Sequence, residues 1–163
     1  MQERLLYKDM SIDEILDESL TVYDFCYHGS KAVPANGSTT MQIPVTSDAH
    51  FLCLEITGSF TTLIDNEGTE DSGVNSISFN ITDEGRNIKL FNTLVPANLV
   101  FSPGRQRTSG IAGDPSNALF YPKAFVYPFL ASSQIVIDLS NNANYENNFS
   151  IAFWGTKYRT NAG

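Results

Sequence analysis

The sequence predicts an all-β protein: a single antiparallel β-sandwich of jelly-roll type, preceded by a short N-terminal helical arm. Three observations predict it. From residue 22 onward, apolar residues recur at every second position in short runs, the period of a half-buried strand. The runs are separated by Gly, Pro and Asn turn signals rather than by helical stretches. A long Pro- and Gly-rich crossover, residues 92–133, interrupts them, and a jelly roll accommodates such a connection. The chain of 163 residues fits one domain, and its 42% hydrophobic and 12% aromatic content supplies a core.

The arm comes first. Ser11-Ile12-Asp13-Glu14 reads as a capping box, with Ser11 as N-cap and Glu14 reaching back; Met10 and Ile15 form the matching staple. Ile12, Ile15 and Leu16 then share one face of a helix over about 12–19, too short to be stable alone. It must dock on its own domain or on another subunit, and is read as an arm that latches to a neighbour. Residues 1–30 are read as arm plus first strand, and 31–163 as the sandwich.

The strands follow. Residues 22–28 place Tyr23, Phe25 and Tyr27 on one face, and Gly29 to Ser38 reads as a loop. Residues 39–45 form a strand whose Pro44 suits an edge. Residues 50–57 put Leu52, Leu54 and Ile56 on one face, and 65–73 form an acidic loop. Ile77, Phe79 and Ile81 point inward. Asp83-Glu84-Gly85 reads as a three-residue hairpin loop, with Gly85 left-handed and Ile88 and Leu90 on the return strand. Within the crossover, short strands are expected near 98–101 and 118–121. Ile135, Ile137 and Leu139 mark the next strand, 141–148 an Asn-rich turn, and Phe149, Ile151 and Phe153 the last strand, broken or bulged at Gly155.

Charge narrows the function. The net charge is −8, and Asp, Glu, Lys and Arg make up only 17% of the chain. Asn, Ser and Thr number 14, 16 and 13 and supply the polar surface instead, a composition of β-proteins that work inside assemblies. A general nucleic-acid binder would need a basic face. No stretch reaches the ~18 apolar residues of a membrane span, and the N-terminus has no signal-like apolar core. A reducing cytoplasm is the expected place of synthesis, so Cys26 and Cys53 are not expected to pair. Residues 1–84 hold 15 acids and 3 bases, whereas 85–163 hold 3 acids and 7 bases. That asymmetry suits a subunit meeting its neighbours with opposite surfaces.

Candidate chemistry is sparse. Cys26-x-His28 and His50-x-x-Cys53 form a Cys2His2 set, but the spacings are not those of a zinc knuckle, and His50 and Cys53 have opposite strand parity. Core cysteines and strand-edge histidines explain them better. Asp65, Glu67, Glu70 and Asp71 lack the EF-hand pattern and read as a solvated loop. Arg105 and Arg107, in a Gly-flanked loop without a phosphate-loop motif, read first as an exposed loop and next as a polar partner contact. No histidine-based triad or nucleophile elbow can be assembled. Trp154, Tyr158, Tyr121 and Tyr127 suit a sugar-stacking platform or, more often in β-proteins, core and subunit interface. No metal or cofactor is expected.

Two stretches carry a resemblance. Pro34-Ala35-Asn36-Gly37-Ser38-Thr39-Thr40-Met41-Gln42-Ile43, followed by Asp48-Ala49-His50-Phe51, resembles the opening strands of small structural proteins of tailed bacteriophages. Phe125-x-x-Pro128, Ser132-Ser133-x-Ile135-x-Ile137-x-Leu139-x-Asn141 and Phe149-x-Ile151-x-Phe153-x-Gly155-x-Lys157 resemble the closing hairpin of phage virion β-sandwiches. The resemblance covers 34–60 and 120–158. It implies a non-enzymatic virion component, a head decoration (cement) protein or another minor head or neck protein, and carries no catalytic residues over. Its partners would be the major capsid protein or other virion proteins, with a homo-oligomer such as a trimer in the particle. Its place would be the virion, assembled in the host cytoplasm. The expected contacts are Ile12, Ile15, Leu16 and Tyr23 from the arm, and Arg105 and Arg107 from the loop. Two other classes compete: a tail or receptor-binding module recognising host glycans, and a glycan-cleaving enzyme with paired carboxylates.

Overall fold

Two antiparallel sheets pack face to face. The computed structural model of the chain describes residues 21–62, 77–101, 103–104, 119–120 and 122–159. Its strands are β1 (Thr21–Val33), β2 (Ser38–Pro44), β3 (His50–Thr62), β4 (Ile77–Asp83), β5 (Ile88–Lys89), β6 (Val95–Pro96), β7 (Pro103–Gly104), β8 (Leu119–Phe120), β9 (Lys123–Phe129), β10 (Gln134–Asn141) and β11 (Asn147–Arg159). The first sheet runs β1-β11-β3-β9 and the second β2-β10-β4-β5, with β6 also on β4; β7 and β8 pair apart. One helical turn, α1 (Ala97–Val100), interrupts the crossover. Among the described residues no helix is long and apolar enough to cross a membrane.

The inner faces come from strict alternation. On β10, Ile135, Ile137 and Leu139 are buried, and on β4 so are Ile77, Phe79 and Ile81. They face Phe51, Ile56, Phe149, Ile151 and Phe153 of the first sheet, all in one core. The crossover adds a plug, Phe101, whose ring stacks on Phe79 at 5.3 Å with Phe149 at 6.4 Å. Each such side chain contributes roughly 1.5–3 kcal/mol through burial.

Several local expectations are corrected. The segment expected to loop from Gly29 is strand as far as Val33, because β11 pairs with it throughout, Gly29 opposite Ile151 and Val33 opposite Asn147. Glycine suits that position because the sheets close tightly there: a Cβ on Gly29 would lie 2.7 Å from Met41 Sδ. The β4–β5 turn takes its left-handed residue from Asn87, φ 54°, not from Gly85. The short strand expected near 98–101 is instead the helical turn α1, Ala97–Val100. β9, which pairs with β3, lies in the stretch read as irregular. The 12–19 helix and the 65–73 loop lie outside the described residues.

Polar groups tie the sheets together. Asp83, at the end of β4, accepts from Arg86 Nη1 and from the Tyr127 hydroxyl on β9, both at 3.0 Å. Arg86 also donates to the Pro128 carbonyl. At the other end, the Asn141 side-chain amide donates to the carbonyls of Val33, Pro34 and Tyr145, and its oxygen accepts from Ala143 N and Asn147 Nδ2.

Candidate functional site

The outer face of the first sheet carries a feature that strand alternation alone does not produce. β3 has one more residue than β11 between paired positions: Trp154 faces Glu55, and Gly155 faces Cys53, so Leu54 bulges. A bulge re-aims the side chains around it. Phe51, Cys53 and Ile56 therefore belong to the core, and the expected inward row Leu52, Leu54, Ile56 is broken. Leu54 instead lines an open groove of about 480 Å³ with Asp24, Phe25, Cys26, Glu55, Trp154 and Gly155. Gly155 makes the close approach possible, since a Cβ there would sit 2.0 Å from the Leu52 carbonyl oxygen.

Trp154 stands half exposed in this groove. Its Nε1 donates to Thr57 Oγ1 at 3.2 Å, which sets the indole orientation and leaves a ring face available. Register places Cys26 on one side of it and Glu55 on the other. The lining thus offers an aromatic face, two carboxylates and a thiol. Burial raises the pKa of the Cys26 thiol, so it is protonated and a weak nucleophile near neutral pH. Cys53 is buried in the core, and burial pushes its thiol up to about 12. A thiol reagent is therefore expected to modify Cys26 slowly in the native protein and Cys53 only after unfolding, as peptide mapping of the labelled chain would check. Fast native labelling of Cys53 would contradict its placement.

The Cys2His2 set does not assemble. Cys26 and His28 lie on β1, separated by β11 from His50 and Cys53 on β3. His50 Nδ1 accepts from the Ala131 amide instead. Both cysteines are free. Among the described residues no three His, Cys, Asp or Glu side chains gather as metal ligands.

The expected aromatic platform divides as well. Trp154 is exposed, Tyr158 is 1% exposed, and Tyr127 turns its hydroxyl to Asp83; Tyr121 lies outside the described residues. So do the expected contacts Ile12, Ile15, Leu16, Arg105 and Arg107. Tyr23 is described and partly exposed at 39%, and it belongs to a cluster the sequence did not reveal. There the Lys157 amine is buried among the rings of Phe25, Tyr27 and Tyr23, at 4.0, 5.5 and 5.9 Å from their centres. It donates to Thr46 Oγ1 at 2.6 Å and to Asp48 Oδ1 at 3.0 Å. Tyr23 donates to Asp48 Oδ2 at 2.7 Å, and Thr46 donates to Oδ1.

The cluster behaves as a latch between the end of β11 and the β2–β3 loop. Hydrogen bonds from Thr46, Tyr23 and Lys157 hold the Asp48 carboxyl far below its ordinary value of 3.8. For Lys157, burial acts to lower the pKa, but bonding to Asp48 and Tyr27 outweighs it, and the net shift is upward from 10.5. The depressed Asp48 pKa gives stability that is present above about pH 4 and lost as pH falls toward the folded value. The raised Lys157 pKa gives stability that persists up to its ordinary range and is lost only above it. The melting-temperature gap between wild type and Asp48→Asn is therefore expected to be widest near neutrality and to narrow below about pH 4. A gap independent of pH from 7 to about 2 would show that Asp48 does not act as a charged acceptor.

Compared with known proteins, the chain matches no family model and no curated protein.

Proposed function

We propose that this chain is a non-enzymatic structural protein of a phage virion, a decoration or cement subunit that bridges neighbouring capsid proteins. The observation that carries the reading is Trp154: an aromatic side chain half exposed on the outer face of the first sheet. Tryptophan is enriched both in protein interfaces and among the residues that carry most of their binding energy. Around it the outer positions are the small side chains Ala152, Ser150, Thr57 and Ser59, with the carboxylates of Asp24 and Glu55 lining the groove beside it. We also assign the sandwich to the jelly-roll class. The strand orders β1-β11-β3-β9 and β2-β10-β4-β5 support this, since consecutive strands β1 to β4 alternate between the sheets and β10 and β11 return between them.

The mechanism is mechanical. The sandwich face and the segment that precedes β1, residues 1–20, bury surface on adjacent subunits, and many weak sites add by avidity. The test is co-sedimentation of the purified protein with particles that lack it. Saturable binding with a fixed stoichiometry, and particles more resistant to heat, are expected. Deleting residues 1–20 is expected to leave a folded sandwich that no longer binds. A stable free protein that ignores the particle shell would overturn the reading. A glycan-binding module is the second reading, favoured by the same exposed indole, and a glycan array separates the two.

A further inference from the structure

We propose that the Trp154 groove receives an arginine side chain from a partner protein, its guanidinium stacked on the indole and held by Glu55 and Asp24. The inference rests on the reading of this face as a protein-binding surface and names the chemistry of what it binds.

Hydrogen-bonding capacity points to the ligand. Among the groove-lining side chains, Asp24 and Glu55 are carboxylates and accept only; the indole N–H is already given to Thr57. Cys26 adds a weak donor. A sugar hydroxyl both donates and accepts, and finds few donors here. A guanidinium carries five N–H donors and no acceptor, so it matches an acceptor-only site. Its planar cation also suits an indole face.

Position and charge agree. Glu55 is directly opposite Trp154, and Asp24 is opposite Thr156, the diagonal neighbour. Directly opposed side chains start about 4.5–5.5 Å apart at Cβ and diagonal ones about 7–8 Å, so the two carboxylates flank the indole from opposite sides. Neither carboxylate has an ion-pair partner among the described residues. Three described cations are engaged elsewhere, Lys157 with Asp48, Arg159 with the Asp48 carbonyl and Arg86 with Asp83, and Lys31, Lys89 and Lys123 form no ion pair with either carboxylate. The face therefore carries negative charge that a partner's arginine would neutralise.

Trp154 is the one tryptophan in the chain, so its fluorescence reports on this groove alone. The full-length protein is titrated with a blocked Gly-Ser-Arg-Gly-Arg-Ser-Gly peptide and with the same peptide carrying citrulline, which keeps the shape and removes the charge. The arginine peptide is expected to change Trp154 emission saturably in the millimolar range and to slow labelling of Cys26. The citrulline peptide is expected to bind about tenfold or more weakly. The Asp24→Asn, Glu55→Gln double variant alters two exposed side chains, so it is expected to fold normally and to lose the preference for arginine. Equal responses to both peptides, a preference that survives the double variant, or no saturable response up to millimolar peptide would each overturn the proposal. A response to maltotriose that exceeds the response to the arginine peptide would overturn it in favour of a sugar. Particle binding separates this from the broader reading: a double variant that binds particles like wild type removes the arginine site only, whereas a wild type that does not bind removes the assembly role.

Discussion

Replacing Asn141 with alanine is expected to destabilise the protein by about 3–4 kcal/mol, from two N–H donors, one of them shared between the Val33 and Pro34 carbonyls, and two contacts to its oxygen, at a net ~1 kcal/mol each, less what water recovers. Asn141 is 1% exposed. Its amide joins three carbonyls from two separate segments, Val33 and Pro34 at the end of β1 and Tyr145 in the β10–β11 turn. Its backbone adds to the same junction, donating to the Gly37 carbonyl at 2.8 Å, while Asn36 N donates to Ala143 O. No other side chain at this position has both the donors and the acceptor within reach. Aspartate would keep the acceptor, lose the donors and bury a charge, so Asn141→Asp is expected to be at least as damaging. Urea denaturation should show a lower midpoint at unchanged slope, and melting should fall by roughly 6–15 °C for a chain of this size. Asn142 and Asn144 sit exposed in the same turn, and their alanine variants should stay within about 0.5 kcal/mol of wild type. A loss below about 1 kcal/mol for Asn141→Ala would show that the junction is held by its backbone alone.

Gly155→Ala is expected to cost about 3 kcal/mol or more, at or above the upper end of the usual overpacking range. The added Cβ would meet the Leu52 carbonyl oxygen at 2.0 Å and the Cys53 Cα at 2.9 Å. Both are backbone atoms of β3, so no side-chain rotation relieves the contact. The β3 and β11 strands would have to separate, or the Leu54 bulge would have to move. Either change also disturbs the groove, because Leu54, Glu55 and Trp154 take their directions from the bulge. The variant should therefore show both a lower melting temperature and an altered Trp154 emission in its folded state. Wild-type emission together with wild-type stability would mean that the strands tolerate the methyl group and that the bulge does not depend on glycine.

These two positions show how far the linear pattern carries. Asn141 was expected within an Asn-rich turn over 141–148; it ends β10 instead, and the turn itself is residues 142–146. Its particular role depends on the Val33 carbonyl, 108 residues away in sequence. Gly155 was expected to break or bulge the final strand. It does accompany a bulge, but the extra residue lies in β3, and the last strand continues through Gly155 to Arg159.

The strands that were legible are those whose alternation matches one buried face. Ile77, Phe79 and Ile81, then Ile135, Ile137 and Leu139, then Phe149, Ile151 and Phe153 repeat with period two, which is a property of each strand's own backbone. The strand from Lys123 to Phe129 is not legible in the sequence because Pro128 and the exposed Val126 blur that signal. Its place in the sheet comes from pairing with β3. The groove was half legible: Trp154 stood out as an aromatic, while Asp24 and Glu55 did not.

Alternation and turn chemistry are local, and they establish from the sequence an all-β chain, most of its strand faces, and a core built from Phe and Ile. Neighbour relations between strands are non-local. Packing placed Trp154 between Cys26 and Glu55, gathered Lys157 and Asp48 into one aromatic cluster across 109 residues, and kept the two cysteines on strands that never adjoin. The physical reason is that side-chain direction repeats within a strand, whereas register and bulges arise only when two strands meet and their carbonyls, amides and side chains must fit together.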